Sequence, residues 1–167
     1  SYESMLAEVD AVYVATPHLE HYACIKTALD AGKHVLCETP MVLQGSQAKE
    51  LFELAEKKGV ILMEANKTAH CPAFNHLMVM IKSGVIGEVV DIEASVSQLL
   101  DDSRWEFDKD NGGGALYAQA CYPMLPIFKL LGVKYKNLNL YSRMKDGVDL
   151  YTKGVLRFEH AVCSFKV

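Results

Sequence analysis

The sequence lacks a long hydrophobic run, a basic stripe and a recognisable export signal, and each lack excludes a class of protein. Half of the 167 residues are hydrophobic, yet no apolar stretch approaches the roughly 20 residues that a membrane-spanning helix needs. No basic segment followed by an apolar one opens the chain, so we expect no export signal. The net charge of −4 and a pI near 5.8 disfavour nucleic acid as a partner, because no lysine and arginine cluster is present to neutralise phosphates. We therefore expect neither a membrane nor a nucleic acid partner.

The cysteines also lack the spacing of a disulfide framework or a zinc site. There are five of them, an odd number, and they lie in apolar surroundings, as free cysteines in a reducing compartment usually do. They are Cys24, Cys37, Cys71, Cys121 and Cys163. We therefore expect a cytoplasmic protein with free thiols.

The first part of the chain alternates short apolar segments with amphipathic ones. Val9–Ala15, His34–Glu38 and Val60–Ala65 have the composition of strands, and Glu20–Ala31 and Ser46–Lys58 have helical spacing. This β-α-β-α-β order predicts right-handed crossovers and a parallel sheet. The nearly continuous apolar character of Val9–Ala15 is typical of a sheet that is covered on both faces.

The pattern changes after the third predicted strand. Pro72 begins a predicted helix, strand-like alternation follows between Glu88 and Leu99, and Gly112–Gly114 opens an apolar helix that reaches Gly132. Three strand-like runs finish the chain, at 137–144, 150–159 and 161–167. The fold class is therefore α/β, a parallel Rossmann-type sheet followed by an α+β domain with a largely antiparallel sheet. We predict domains at residues 1–68 and 69–167.

Polar residues follow the predicted parallel strands where each one ends. Glu38, Thr39 and Pro40 follow the second strand, and Thr16-Pro17-His18 follows the first. Ligands of open parallel sheets bind outside the carboxyl ends of the strands, so these residues are candidates for contact with a cofactor or substrate. The alternative is structural, since Glu38 could cap the next helix and the histidines could hold a helix N-terminus.

A metal site is the other chemistry that the histidines could carry. His18-x-x-His21 and the group His70, Cys71 and His76 offer ligands, but no C-x-x-C or H-E-x-x-H motif accompanies them. We therefore expect no metal.

These segments together resemble the Gfo/Idh/MocA family of NAD(P)-dependent sugar and polyol oxidoreductases. The first half matches in the segments 9–17, 31–40 and 62–65 and in His21, and the second half matches in the segments 84–89 and 112–116. The resemblance implies NAD or NADP as cofactor and hydride transfer to or from a sugar, polyol or related hydroxy compound. It also implies that the glycine-rich dinucleotide turn lies upstream, so that the chain is a fragment holding the second half of a Rossmann domain and the first part of the C-terminal domain.

The resemblance assigns roles to residues of this chain. Those implied near the nicotinamide ribose are Thr16, Pro17, His18, His21, Glu38, Thr39, Pro40 and Ala65. It further implies a homo-oligomer joined through the C-terminal sheet. The apolar residues of 137–167 also offer more surface than one helix can cover, which favours a partner for that sheet.

The sequence departs from the family pattern at two positions that carry proton transfer. The family turn normally reads Glu-Lys-Pro, and Thr39 stands in place of its lysine; Ala118 stands in place of an aspartate. Tyr122 occupies the position of a substrate-facing His or Tyr, and Lys67 could supply the missing cation. We therefore predict Tyr122 and Lys67 as catalytic residues. The alternatives are a buried aromatic, a solvated lysine and a catalytically silent module that binds a dinucleotide or a nucleotide sugar.

Overall fold

The computed structural model describes residues 1–101 and 104–167, and the chain forms two compact units. The first unit comprises Ser1–Ala65 and Asp110–Gly112. The second unit comprises Asn66–Lys109 and Gly113–Val167, apart from residues 102 and 103. The short segment 110–112 is therefore part of the first unit, although it follows the start of the second along the chain.

The first unit is a parallel three-stranded sheet with helical crossovers. Its elements are α1 (Tyr2–Leu6), β1 (Ala11–Val14), α2 (His18–Asp30), β2 (His34–Cys37), α3 (Gly45–Lys58) and β3 (Leu62–Glu64). The strand order is β1-β2-β3, with Val14 opposite Cys37 and Cys37 opposite Glu64. Because the three strands end at the same level, the segments that follow them leave the sheet at one edge.

One face of this sheet carries the core. Val12, Val35 and Cys37 are buried there against Ile25 of α2 and Leu51 of α3. The opposite face is open in the described chain, since Tyr13 is 57% exposed and Met63 is 42% exposed. Both crossover helices pack on the same face, so the cover that the apolar pattern predicts for the other face stays a prediction.

The helix ends follow local chemistry. Helix α2 begins at His18, two residues earlier than the apolar spacing predicts, because Pro17 at the N-cap already has φ −57° and needs no N–H bond there. Helix α3 ends at Gly59, whose φ of +67° is left-handed and whose N–H bonds the carbonyls of Ala55 and Glu56.

The second unit is an α+β arrangement around a mixed sheet. Its helices are α4 (Pro72–Lys82), α5 (Ala115–Gln119) and α6 (Cys121–Leu131), with 3-10 turns at Lys67–His70 and Trp105–Phe107. Its strands are β4 (Asp91–Ser95), β5 (Asn137–Lys145), β6 (Val148–Arg157) and β7 (Val162–Lys166). The order is β4-β7-β6-β5, and every pair is antiparallel except β4 with β7. The predicted α/β class with a largely antiparallel second sheet is confirmed.

The single helix predicted from Gly112 to Gly132 is two helices that meet at Ala120. Pro123 explains the break, because proline has no N–H to bond the carbonyl four residues back, at Gln119, and its ring clashes with that carbonyl. The break places Cys121 and Tyr122 at the start of α6.

The core of the second unit lies on one face of the mixed sheet. Leu156 and Phe165 pack with Ile127 of α6, and all three are fully buried. A Cβ at Gly154 would overlap the ring of Phe165, so glycine is required where the ring crosses the neighbouring strand.

Candidate active site

The turn after β2 is held from both neighbouring strands. The Glu38 carboxylate accepts a hydrogen bond from the Tyr13 hydroxyl of β1. Glu64, at the end of β3, accepts the N–H of Met41 at 2.9 Å. The strand hydrogen bonds also continue past the strand ends, since Glu38 N–H bonds the Val14 carbonyl at 2.9 Å. The turn is therefore fixed in place, with a cis peptide bond between Thr39 and Pro40.

His21 joins the turns that follow β1 and β2. Its side chain is fully buried, with Nδ1 2.9 Å from the Pro40 carbonyl oxygen and Nε2 2.8 Å from the Thr16 carbonyl oxygen. Carbonyl oxygens only accept, so the ring donates through whichever nitrogen carries a proton. His21 therefore has no exposed ring atom and fixes the backbone beneath Thr16 and Pro40; its predicted contact with a cofactor stays a prediction.

His18 holds the segment 110–112 on the first turn of α2. Its Nδ1 lies 2.9 Å from the Gly112 carbonyl oxygen, and the ring is buried. A Cβ at Gly112 would lie 2.9 Å from Leu43 Cδ1 and 3.2 Å from Leu19 Cγ, and its φ is +72°. Only glycine fits this position, so the glycine run has a packing reason that the sequence alone does not reveal.

Two side-chain atoms among the described residues are buried without a hydrogen-bond partner, Thr16 Oγ1 and Asn66 Oδ1. Thr16 comes two residues after β1 and Asn66 comes two residues after β3. The Thr16 hydroxyl lies near the Cys24 thiol and lowers the pKa of that thiol, against the larger effect of burial, which raises it; the pair does not have the geometry of a hydrogen bond. A buried hydroxyl in this state calls for a specific explanation.

In the second unit, a hydrogen bond joins the segments that carry the two predicted catalytic residues. Asn66 Nδ2 donates to the Cys121 carbonyl oxygen at 3.4 Å. Lys67 follows Asn66 and is exposed, whereas Tyr122 follows Cys121 and is half-buried. Asn66 was not among the residues predicted from sequence, because a single Asn after a strand has no distinguishing pattern.

Asp149 of β6 caps helix α5 from a distance along the chain. Its Oδ2 accepts the Leu116 N–H at 2.9 Å and the Thr152 hydroxyl at 2.6 Å. Gly114 precedes the helix with φ +121°, and a Cβ there would overlap Asp149 Oδ1. Sequence reasoning missed Asp149, since a cap that lies 33 residues from its helix leaves no local signal.

A cavity of about 270 Å³ lies beside α5 within the second unit. Its lining includes Ala118, Gln119, Gln98, Asp149 and Tyr151. Gln119 Nε2 donates to Gln98 Oε1 at 3.3 Å, so the wall presents an amide pair together with a carboxylate and a phenol. The rest of the lining is mostly apolar and includes Val96, Leu99 and Phe107, so the cavity combines apolar walls with a few polar groups, as small-molecule sites usually do.

Neither a metal-binding cluster nor a membrane-spanning helix occurs within residues 1–101 and 104–167. No group of three or more His, Cys, Asp or Glu side chains is arranged to hold a metal ion in this part of the chain. No helix there is long and apolar enough to cross a membrane.

The fold and the site define a class of protein. A parallel sheet with polar turns at its carboxyl edge, followed by an α+β unit with a mixed sheet, agrees with part of a Rossmann-type nucleotide domain joined to a second domain. The sequence profile described as "Oxidoreductase family, NAD-binding Rossmann fold" matches residues 1–66. The profile of the GFO/IDH/MocA C-terminal domain matches residues 74–167. The chain belongs to the Gfo/Idh/MocA oxidoreductase family.

Individual relatives agree with this assignment. The chain is 35% identical over 150 residues to a dTDP-3,4-didehydro-2,6-dideoxy-alpha-D-glucose 3-reductase of Actinomadura kijaniata, covering 88% of this chain and 45% of that protein. It is 37% identical over 143 residues to an NADP-dependent D-xylose 1-dehydrogenase of Hypocrea jecorina, covering 78% of this chain and 37% of that protein.

A solved structure extends the comparison to the fold. It is a mutant 3-ketoreductase from Actinomadura kijaniata in complex with TDP-benzene and NADP, with a TM-score of 0.86 and 29% identity. The match covers 99% of this chain and 53% of that one. The chain thus spans about half the length, or less, of the curated relatives that it matches.

Proposed function

We propose that the full-length protein catalyses reversible, NAD(P)-dependent hydride transfer to or from a carbinol carbon of a sugar, polyol or related hydroxy compound. The observation that carries the proposal is the polar group at the carboxyl edge of the parallel sheet. There Glu38 is anchored to Tyr13, and the buried Thr16 hydroxyl has no hydrogen-bond partner. Membership of a family of oxidoreductases with an NAD-binding Rossmann fold supports the same reading.

The residues that follow the three parallel strands would hold the nicotinamide end of the cofactor. They are Thr16, Pro17, His18, Glu38, Thr39, Pro40 and Ala65. When bound, the nicotinamide supplies the hydride acceptor or donor. The chain's own contribution is to orient it, with the Thr16 hydroxyl free to bond a ribose hydroxyl and His21 keeping the backbone of both turns in position.

Proton transfer falls to Tyr122, assisted by Lys67. A phenol loses its proton near neutral pH only when a cation stabilises the phenolate, and Thr39 carries no charge with which to do so. Lys67 supplies the cation in this proposal. The hydrogen bond from Asn66 to Cys121, which ties the preceding residues together, supports an arrangement in which these two side chains serve one reaction.

The cavity beside α5 supports a polyhydroxy substrate. Ala118 lines it where the family pattern has an aspartate, so the wall there is small and apolar next to the amides of Gln98 and Gln119. The named relatives act on a dTDP-sugar and on D-xylose. We propose a sugar or polyol for this protein on these grounds.

A second candidate is a catalytically silent module that binds a dinucleotide or a nucleotide sugar. Thr39 and Ala118 favour it, since both lack the ionisable group of the family pattern. Under this reading the cofactor residues keep their role, and Tyr122 and Lys67 have none in proton transfer.

An assay of the full-length protein separates the two candidates. NAD⁺ and NADP⁺ are each offered with a panel of pentoses, hexoses and polyols, and formation of the reduced cofactor is followed at 340 nm. We expect turnover with at least one panel member. Binding of the cofactor by calorimetry without turnover of any member, in either direction, favours the silent module. If neither dinucleotide binds, the oxidoreductase is overturned, and if a nucleotide sugar such as a dTDP-sugar also fails to bind, the silent module is overturned as well.

Restoring the family residue gives a second way to decide. If the parent protein binds the cofactor without turnover and Thr39→Lys creates turnover, the silent-module reading is correct for the natural sequence. If the parent protein is active, we expect Thr39→Lys to change the rate without being needed for it.

We further propose that the protein is a cytoplasmic homo-oligomer that pairs through the outer face of the mixed sheet. Strand alternation puts Lys153 and Arg157 of β6 on this face together with Glu93 of the edge strand β4. A two-fold axis would bring the acidic edge of one sheet over the basic strands of the other. Tyr141 and Val162 add exposed apolar surface to the same face.

The sequence predicted that apolar residues of 137–167 form the partner surface. Three of them, Leu156, Phe158 and Phe165, lie in the core instead. Charged side chains therefore contribute more to the proposed interface than the sequence suggested. Light scattering of the full-length protein at micromolar concentration tests it. We expect a dimer or tetramer that Arg157→Glu dissociates, and a monomeric parent protein would contradict the proposal.

A further inference from the structure

Asn66 is a buried polar residue that directly precedes Lys67, one of the two predicted catalytic residues of the second unit. It is 8% exposed and comes two residues after β3 ends. Ligands of parallel sheets bind where such strands end. A polar side chain buried at this position therefore needs either a structural role or a ligand to explain it.

The usual structural role of an asparagine at this position is absent. Asn66 is the N-cap of the 3-10 helix Lys67–His70, where its side-chain oxygen would normally accept a helix N–H. It makes no such cap bond; the backbone carbonyl of Asn66 instead accepts the Ala69 N–H at 3.0 Å. Local capping therefore does not account for the side chain.

The hydrogen bond to Cys121 fixes which way the amide points. Nδ2 donates to the Cys121 carbonyl oxygen at 3.4 Å. The opposite orientation would face Oδ1 with that carbonyl, and two acceptors repel each other. The amide nitrogen is thus used within the protein, and Oδ1 is left as a buried acceptor without a partner among the described residues.

We propose that Asn66 is a ligand-binding residue whose Oδ1 accepts a hydrogen bond from an N–H or O–H donor of the bound cofactor or substrate. The proposal rests on the proposed function and adds to it a residue that recognises a hydrogen-bond donor of the ligand. Two sources carry this chemistry, the carboxamide N–H of nicotinamide and a hydroxyl of the sugar. A ligand with only an acceptor at this point would face Oδ1 with an unpaired oxygen, so Asn66 would select against it.

Calorimetry on the full-length protein tests the carboxamide source by changing both partners of the bond. The ligands are NAD(P)⁺ and its 3-acetylpyridine analogue, in which a methyl ketone replaces the carboxamide and the N–H donor is lost. The variants are the parent, Asn66→Leu, which has a similar shape without polar atoms, and Asn75→Leu, an exposed position on α4, as the matched control. Circular dichroism verifies that each variant is folded.

We expect the parent and Asn75→Leu to bind the analogue about tenfold more weakly than NAD(P)⁺, and Asn66→Leu to bind the two equally. If Asn66→Leu leaves both dinucleotide affinities unchanged, the sugar hydroxyl is the donor. In that case its affinity for the panel sugar, titrated into the NAD(P)H complex, falls about tenfold.

Three outcomes overturn the inference. If Asn66→Leu binds the dinucleotides and the sugar as the parent does, Oδ1 receives no ligand donor, and the proposed function stands. If the variant weakens NAD(P)⁺ and its analogue by the same factor, Asn66 acts only through its bond to Cys121. If the parent binds no dinucleotide at all, the proposed function fails and the inference fails with it.

Discussion

The imidazole of His21 lies 2.9 Å from the carbonyl oxygen of Pro40, while its other nitrogen contacts the Thr16 carbonyl. One fully buried ring thereby joins the two turns that carry most of the predicted cofactor residues. The relationship explains how two short turns can present a fixed backbone to a ligand.

Replacing His21 by Phe should destabilise the protein. The ring volume is kept, but the polar contacts of the ring with two buried carbonyl oxygens are lost, so we expect a loss of about 2–4 kcal/mol in the free energy of unfolding. Urea denaturation followed by circular dichroism measures it. The matched control is His76→Phe at an exposed position of α4, where the change should be below about 0.5 kcal/mol. Equal stability of the two variants would contradict the role given to His21.

The stability of the protein should fall in alkali because of Cys37. Burial raises the pKa of this thiol from its ordinary 9.0 to about 12, with Glu64 and Glu38 adding to the effect. Between these values the unfolded chain releases the proton while the native state keeps it. The contribution of the protonated Cys37 thiol to the free energy of unfolding is therefore complete below pH 9. It falls by about 1.4 kcal/mol for each pH unit between pH 9 and the native pKa of about 12.

Urea denaturation at several pH values between 8 and 11 measures this slope. We expect Cys37→Ala to be less stable than the parent at pH 8 but to lose stability less steeply above pH 9. Cys71→Ala should keep the slope of the parent, because Cys71 is exposed in the native state. An unchanged slope in Cys37→Ala would show that this thiol is not responsible.

Gly114→Ala should disturb the start of helix α5. The new Cβ would overlap Asp149 Oδ1, and φ +121° is strained for any L side chain. We expect the free energy of unfolding to fall by at least about 2 kcal/mol. We also expect a lower turnover, because Tyr122, the proposed proton-transfer residue, lies on the next helix. Gly45→Ala is the control, because a Cβ there meets nothing within 4 Å and the residue begins helix α3. That substitution should be neutral or slightly stabilising.

Lys67→Met should lower the turnover of the full-length enzyme at least about tenfold, which corresponds to about 1.4 kcal/mol of transition-state stabilisation. The side chain keeps most of its bulk and loses the charge that we propose stabilises the Tyr122 phenolate. Steady-state kinetics should show the loss in kcat, with cofactor affinity little changed.

Lys57→Met serves as the control for this experiment, since Lys57 is an exposed lysine in the last turn of α3. It should retain the activity of the parent. Survival of turnover in Lys67→Met within about threefold would remove Lys67 from the mechanism.

Periodicity and composition in the sequence were enough to predict the order of strands and helices and the parallel character of the first sheet, and the resemblance of several segments indicated the family. Local patterns suffice for these because apolar spacing, glycines after helices and prolines at their starts act within a few residues. The segments that carry the family likeness are likewise contiguous in the chain. The predicted site residues came from the same source, and their catalytic and binding roles stay predictions.

Tertiary structure alone decided which face of the parallel sheet is covered. It also decided the partners of the buried polar groups. Asp149 caps α5 from 33 residues away, and Asn66 bonds Cys121 from 55 residues away. Such pairs leave no trace in sequence spacing, because folding brings them together through sheet register and helix packing. The acceptor that we assign to a ligand, Asn66 Oδ1, is visible only because the rest of its side chain is already satisfied.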